Sequence, residues 1–328
     1  MTKRFSVDRR RVLGAFAVTA LAGATGVQAQ GFPAKPVKII VGFAPGGAVD
    51  IIARAVGTQL SSSLGQPVLI DNRPGAGTNI AMRALVDSPP DGYTLMLAAN
   101  SLAANPSLYS PPPLDPARDI TPISLVGRVP VVLAVGAGTS IDSLQAFIAA
   151  AKAKPRGITF GSPGNGSTPH LAIALFERRA GIQLSHIPYK GGAPAIADVL
   201  GGHIAAVAVN ALEVQPHVKS GKLRVLAVMT PSRSGIFPEV PTVAESGFPG
   251  FEAAVWYVFI GPAGLPAPVV TRLHADIQRA MATDEVKSRL TTAGGEVLPG
   301  PVERATTLIA EERARYEKLI REEGIKPD

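Results

Sequence analysis

Short runs of β-branched and apolar residues recur along this chain, separated by amphipathic segments of helix length and by glycine-rich turns. Val37-Lys-Ile-Ile-Val41 reads as a buried strand that runs into the turn Pro45-Gly46-Gly47. A helix is predicted over 49–64, with Ile52, Val56 and Leu60 spaced for one face. Strand Val68–Ile70, helix 80–86 and strand Thr94–Leu97 follow. This β-α-β-α-β order argues for a parallel sheet with helices on both faces. The pattern restarts after the strand-like Val129–Val135. Helix 144–152, strand Ile158–Phe160, helix 170–180, strand Leu184–Ile187, helix 194–200 and strands His203–Val209 and Leu223–Val228 make a second unit. A long strand is predicted over Phe251–Ile260, then helices over 267–282, 285–293 and 301–323. The fold class is α/β. Two units joined by strand-like crossings near 126–131 and 251–257 predict two lobes with a hinge, each a sheet flanked by helices. The strand-to-helix loops then face one interlobe cleft. Trp256 and Tyr257, in the second crossing, either line the cleft floor or pack the interlobe core, and packing is the favoured reading.

The formal net charge of +7 invites a nucleic-acid reading, and the N-terminus removes it. Residues 1–29 carry Lys3, Arg4, Arg9, Arg10 and Arg11 against Asp8, then an apolar run from Val12 to Ala22, then small residues up to Ala29. That is the layout of a signal peptide, and the apolar run is too short to span a bilayer. Arg9-Arg10-Arg11 suits twin-arginine export, with the ordinary secretory route as the alternative. Without this segment the net charge is +3. With aromatics at only 5% and no basic patch interleaved with them, no nucleic-acid partner is expected. Zero cysteines remove disulfides, thiolate metal sites and cysteine nucleophiles. The five histidines show no metal-ligand spacing, so no metal and no cofactor are expected.

Chemistry is concentrated in the loops. Phe43-Ala-Pro-Gly-Gly-Ala-Val-Asp50 follows the first strand and opens a helix, where free N–H groups and the dipole suit an anion such as a carboxylate. Asn72-Arg-Pro-Gly-Ala-Gly77 is a second loop of this kind. Gly161-Ser-Pro-Gly-Asn-Gly-Ser-Thr168, in the second unit, offers hydroxyls, an amide and backbone N–H groups without charge. A hydrolase built on Ser162 and His170 is the alternative reading. It lacks the G-x-S-x-G spacing and any third group to orient the base. His186 and His203 read as structural histidines and Lys190 as a solvated loop lysine. On the last helix, Glu311 and Arg315 are spaced for an i,i+4 pair.

Taken in order, seven strings resemble the Bug/TctC family of extracytoplasmic solute receptors of tripartite tricarboxylate transporters. They stand at Phe43–Asp50, Asn72–Gly77, Pro90–Leu95, Gly161–Ser167, Pro188–Gly191, Gly221–Val228 and Val240–Gly247. The resemblance covers essentially all of 32–328. It implies a two-domain Venus-flytrap fold of the periplasmic-binding-protein kind, with the C-terminal helices returning to the first lobe. On that plan lobe 1 is 30–130 plus 254–328 and lobe 2 is 131–253. It also implies a monomeric, non-enzymatic receptor that closes on a small di-, tri- or aromatic carboxylate, with a separate membrane permease as partner; a sensory role without transport is the alternative. The positions it carries over for ligand binding are Phe43, Gly46, Gly47, Ala48, Asp50, Asn100 and Ser101 from the first lobe. From the second come Ser162, Asn165, Ser167, Thr168, His170, Tyr189 and Asn210. Asp50 is expected to orient waters or neighbouring amides. Where many relatives have an acidic residue in the strand before an Asn, this chain has Ala205 and Val209, then Asn210-Ala-Leu-Glu213. The missing acid points to plain or aromatic carboxylates in preference to amino acids.

Overall fold

In the computed structural model, which describes residues 31–292 and 294–327, the first half begins as the sequence pattern predicts. Strand β1 (Val37–Val41) is almost wholly buried, as befits a parallel strand covered on both faces. It is flanked by β2 (Val68–Asn72) and β3 (Thr94–Ala98), both parallel to it, with Val37 opposite Val68 and Lys38 opposite Thr94. Between β1 and β2 runs α1 (Ala48–Leu64), which buries Ile52, Val56, Leu60 and Leu64. It stops at Gly65, whose φ of 65° forms a left-handed cap. A 3-10 turn (Ala76–Thr78) and α2 (Asn79–Val86) join β2 to β3. Next come α3 (Ser101–Leu108) and the single turn α4 (Pro116–Asp119).

The pivotal element is β4 (Ile120–Gly136), one 17-residue strand where the sequence predicted only its second half. From Ile120 to Pro130 it runs antiparallel to β9 (Ala254–Pro262), with irregularities between Pro122 and Ser124 and between Leu125 and Gly127. These interruptions and the two prolines hid the strand from period-2 patterning. At Pro130 the ladder to β9 ends, since proline has no N–H to continue it. From Val131 onward β4 pairs instead with β7 (Ala206–Asn210) and β8 (Leu223–Val228), both antiparallel. The chain's later crossing runs beside this one, with Met229 N–H on Val131 O at 2.9 Å and Ala253 N–H on Met229 O at 2.6 Å.

The second half adds α5 (Leu144–Ala153), β5 (Thr159–Ser162), α6 (Thr168–Ala180), β6 (Ser185–Pro188), α7 (Gly192–Leu200) and α8 (Ala211–Lys219). Strands β5, β6 and β7 are parallel. Helices α9 (Ala267–Ala282) and α10 (Asp284–Thr291) pack on α1, while α11 (Val302–Glu323) lies against α3. The tiny strand β10 (Glu296–Val297) pairs with β4. The sheet order is β2-β1-β3-β9-β4-β7-β5-β6, and residues 35–328 pack as one compact unit. The C-terminal helix thus joins the first half, burying Ala305, Ile309, Tyr316 and Ile320 with Leu102, Leu108 and Trp256. Helices α3 and α8 had no sequence forecast, because Pro106 and Pro216 interrupt each of them. Arg315 bonds Glu312 at 3.0 Å in place of the anticipated Glu311. The forecast signal peptide lies outside the described residues. Among the described residues no helix is long and apolar enough to cross a membrane.

Phe259 of β9 is fully buried between β3 and β4. Phe259→Ala is expected to lower unfolding free energy by about 3–5 kcal/mol, as read from urea denaturation followed by circular dichroism.

Candidate ligand-binding cleft

The Pro-Gly-Gly turn after β1 owes its composition to two separate demands. Gly46 has φ of 83°, a conformation that favours glycine. Gly47, at the N-cap of α1, is extended and tightly placed, since a Cβ there would lie 3.1 Å from Glu213 Oε1. Glu213 reaches this point from α8 in the other half. Its Oε1 accepts the Ala48 N–H at 2.7 Å, and its Oε2 accepts the Asn210 N–H at 3.2 Å and Asn210 Nδ2 at 3.4 Å. A Cβ on Gly192, the first residue of α7, would overlap the same carboxylate. The heads of α1, α7 and α8 therefore converge on one buried acid. Each helix head stabilises a carboxylate by about 0.3–2 kcal/mol and each charged hydrogen bond by about 1.5–3 kcal/mol. Desolvation costs several kcal/mol in the opposite direction. The balance falls on the side of burial, which pushes the Glu213 carboxyl above its ordinary range despite the bonds from Ala48 and Asn210. Tyr257, fully buried on β9, has a hydroxyl with no hydrogen-bond partner; burial and then the charge of Glu213 drive its pKa well up.

Asp50 sits one turn into α1 and is 3% exposed. Its carboxylate accepts Gly46 N–H at 3.0 Å, Asn72 Nδ2 at 3.0 Å and both Nε and NH2 of Arg54 at 2.9 Å. Burial alone raises its pKa, but the bonds from Arg54, Gly46 and Asn72 outweigh that and hold it below the usual carboxylate range. Asn72 Nδ2 also reaches Phe43 O at 3.0 Å. Asp50 thus orders the turn from behind, orienting amides as expected without facing the cleft.

A small cavity of about 20 Å³ lies between the halves, with room for about one ordered water. Of the residues predicted from sequence, Phe43, Gly47, Ala48, Asn100, Ser101, Ser167, Thr168 and Asn210 line it together with Glu213. Asn100 spends its side chain on structure, accepting Trp256 N–H at 3.0 Å and donating to Tyr316 OH at 2.9 Å. Ser101 Oγ takes the Thr78 hydroxyl at 3.0 Å, and Ser167 caps α6 through His170 N–H at 3.4 Å. Asn165 and Tyr189 line a second, outer cavity of about 310 Å³ that shares Phe43 and Pro163 with the first. The Tyr189 hydroxyl bonds Asp198, and burial together with that carboxylate pushes it up to about 12.

Four predicted residues line neither of these cavities. Gly46 spends its N–H on Asp50, and Asp50 faces the turn. Ser162 has no exposed surface and meets His186 Nε2 at 2.7 Å, not His170. His170 accepts Gly166 N–H at 3.3 Å and stacks on His186 with ring centroids 4.4 Å apart. The Ser162–His170 pairing of the hydrolase reading is therefore corrected: the serine's partner is His186. Trp256 packs in the core instead of lining the inner cavity, and it also donates Nε1 to Glu312 at 3.0 Å.

A family model described as the tripartite tricarboxylate transporter family receptor, TctC, matches residues 52–325. The chain belongs to this family. Protein BugT of Bordetella pertussis is 39% identical over 317 residues, covering 96% of this chain and 97% of BugT. Two solved structures share the TctC receptor fold. Rpa4515 of R. palustris with adipate superposes with a TM-score of 0.86 at 34% identity, over 90% of this chain and all of that one. MatC of Rhodopseudomonas palustris with bound malate gives 0.84 at 29%, over 88% of this chain and all of that one. The Bug/TctC resemblance and the two-lobed α/β fold drawn from sequence both hold. The resemblance did not single out Glu213 of this TctC chain as a cleft residue. A signal existed: Asn210-x-x-Glu213 is the N-cap and N3 spacing of a capping box, which marks the start of α8.

Asp50→Ala is expected to destabilise the protein by about 1–3 kcal/mol at pH 7. A carboxyl with a depressed native pKa contributes fully above the ordinary range and loses that contribution as pH falls through the native value. The gap between wild type and variant in thermal melts should accordingly close in acid.

Proposed function

We propose that this protein is an exported receptor that captures a small organic carboxylate between its two halves and delivers it to a membrane permease of the tripartite tricarboxylate kind. The observation that carries the reading is the cavity at the meeting of both halves, lined by the β1–α1 loop on one side and by the heads of α6, α7 and α8 on the other. Family membership supports the receptor role, and relatives crystallised with adipate and malate support a di- or tricarboxylate, with aromatic acids in the same class. The lobes are 30–130 plus 254–328 and 131–253. They hinge where β4 changes partners at Pro130 and Val131 and where the chain returns at Ala253 and Ala254. Since the inner cavity holds little more than a water, the halves part to admit the solute and close on it. Residues 1–29 are the export signal, removed on the way to the periplasm, and the receptor works as a monomer.

The test is a thermal-shift screen against di- and tricarboxylates, aromatic acids, amino acids and neutral amides, followed by calorimetry on the hits. A ligand at about 100 times its Kd adds about 2.7 kcal/mol, read as a rise of several degrees. A hit recovered chemically unchanged is the expected result. Consumption of the compound, or no shift across the panel, would overturn the receptor reading.

A further inference from the structure

The head of α1 is where a carboxylate ligand would be expected to sit, and the chain's own carboxylate already sits there. Glu213 is gripped from both halves, by Ala48 N–H on one side and by Asn210 N–H and Nδ2 on the other. It is 7% exposed, and Asn210 is 6% exposed. We propose that Glu213 is a specificity-determining residue that keeps a ligand carboxylate off the head of α1 and requires an N–H-bearing group, an ammonium or a carboxamide, in its place. The proposal rests on the receptor reading of the cleft and narrows its ligand class.

The argument is a count of donors against acceptors. An ionised carboxylate offers about four acceptor positions. Glu213 has three filled, one at Oε1 and two at Oε2. Beside it Asn210 turns Nδ2 toward Glu213, which leaves its buried Oδ1 with nothing firmer than the capping-box approach to the Glu213 N–H. Both residues line the inner cavity. That wall therefore has acceptors in surplus. A ligand carboxylate brought against it would add acceptors to a wall already crowded with them, and negative charge in a place shielded from water, where an uncompensated charge is costly. An ammonium brings three donors and the opposite charge, and a carboxamide brings two donors. The ligand's own carboxylate then takes the facing wall, at the head of α6 by Ser167 and Thr168, with the rest of the molecule toward the outer cavity. On this proposal an acid from α8 takes the place of the one missing at Ala205 and Val209, and the ligand class it favours is nitrogen-bearing where the resemblance pointed to plain acids.

The test is isothermal titration of the purified protein with matched sets: succinate, aspartate and asparagine; glutarate, glutamate and glutamine; and, for any other acid that binds, its amino or amide counterpart. The expected result is that a nitrogen-bearing member binds at least tenfold tighter than its parent acid. In Glu213→Gln that preference should shrink to within about threefold, with the parent acid bound as well as before or better. The wild-type comparison decides the matter even where E213Q does not fold. Plain acids bound as tightly as their nitrogen counterparts, or a preference that survives E213Q, would overturn this inference alone. A wild type that binds nothing in the panel overturns the receptor reading and this inference with it.

Discussion

Strand β4 is the constraint on which the architecture rests. It is a single strand of 17 residues, and it is hydrogen-bonded to β9 over its first part and to β7 and β8 over its last. A sheet can change partners in this way only where the ladder is interrupted, and Pro130 provides the interruption by lacking an N–H. Because the later crossing at Met229 and Ala253 lies alongside, the two halves are tied by a pair of adjacent backbone segments and not by a broad interface of strands. The loops that face each other across the cleft are consequently those at the carboxyl ends of β1, β3, β5 and β7. Each opens a helix, so backbone N–H groups crowd into the same small volume.

Electrostatics then decide what that volume accepts. Three helix heads in one place would normally invite an anion from solution. Here the anion is internal, and the small cavity beside it is walled by the Glu213 and Asn210 side chains. The two carboxylates near the head of α1 behave oppositely for a stated reason. Asp50 has a guanidinium and two amide donors and sits low in pKa, whereas Glu213 has amide donors only and is pushed up by burial. Asp50 stiffens the turn, and Glu213 lines the cavity. The unpartnered hydroxyl of Tyr257 belongs to the same environment, since the charge of Glu213 is felt there.

Much of this was legible in the residues. Periodicity located α1, α5, α9 and α11 and the strands β1 to β3, because each is a long or strongly apolar segment with glycine or proline at its ends. The loops at 43–50 and 161–168 stood out by composition and gained a binding role from the family resemblance; Ala48, Ser167 and Thr168 of these loops line the cavity, as does Asn210 at the head of α8. Ser162 and Asp50 lie in those same strings, and His170 just beyond the second, but they point elsewhere, because a loop's sequence does not say which of its side chains turns inward. The first half of β4 escaped notice for its bulges and prolines, and α8 for Pro216.

By itself the sequence determined most of the order of strands and helices, the absence of thiol chemistry, the glycines that let backbone approach a site, and the family. Those properties are local, or are carried by strings of adjacent residues. Tertiary structure alone decided that Glu213 meets Ala48, 165 positions away, and that Ser162 meets His186 instead of His170. It also decided that Asp50 faces its own turn. Each of these depends on how two separately predictable elements are brought together by the sheet. A contact across the cleft is fixed by the partner change in β4 at Pro130 and Val131, and no stretch of neighbouring residues encodes that geometry.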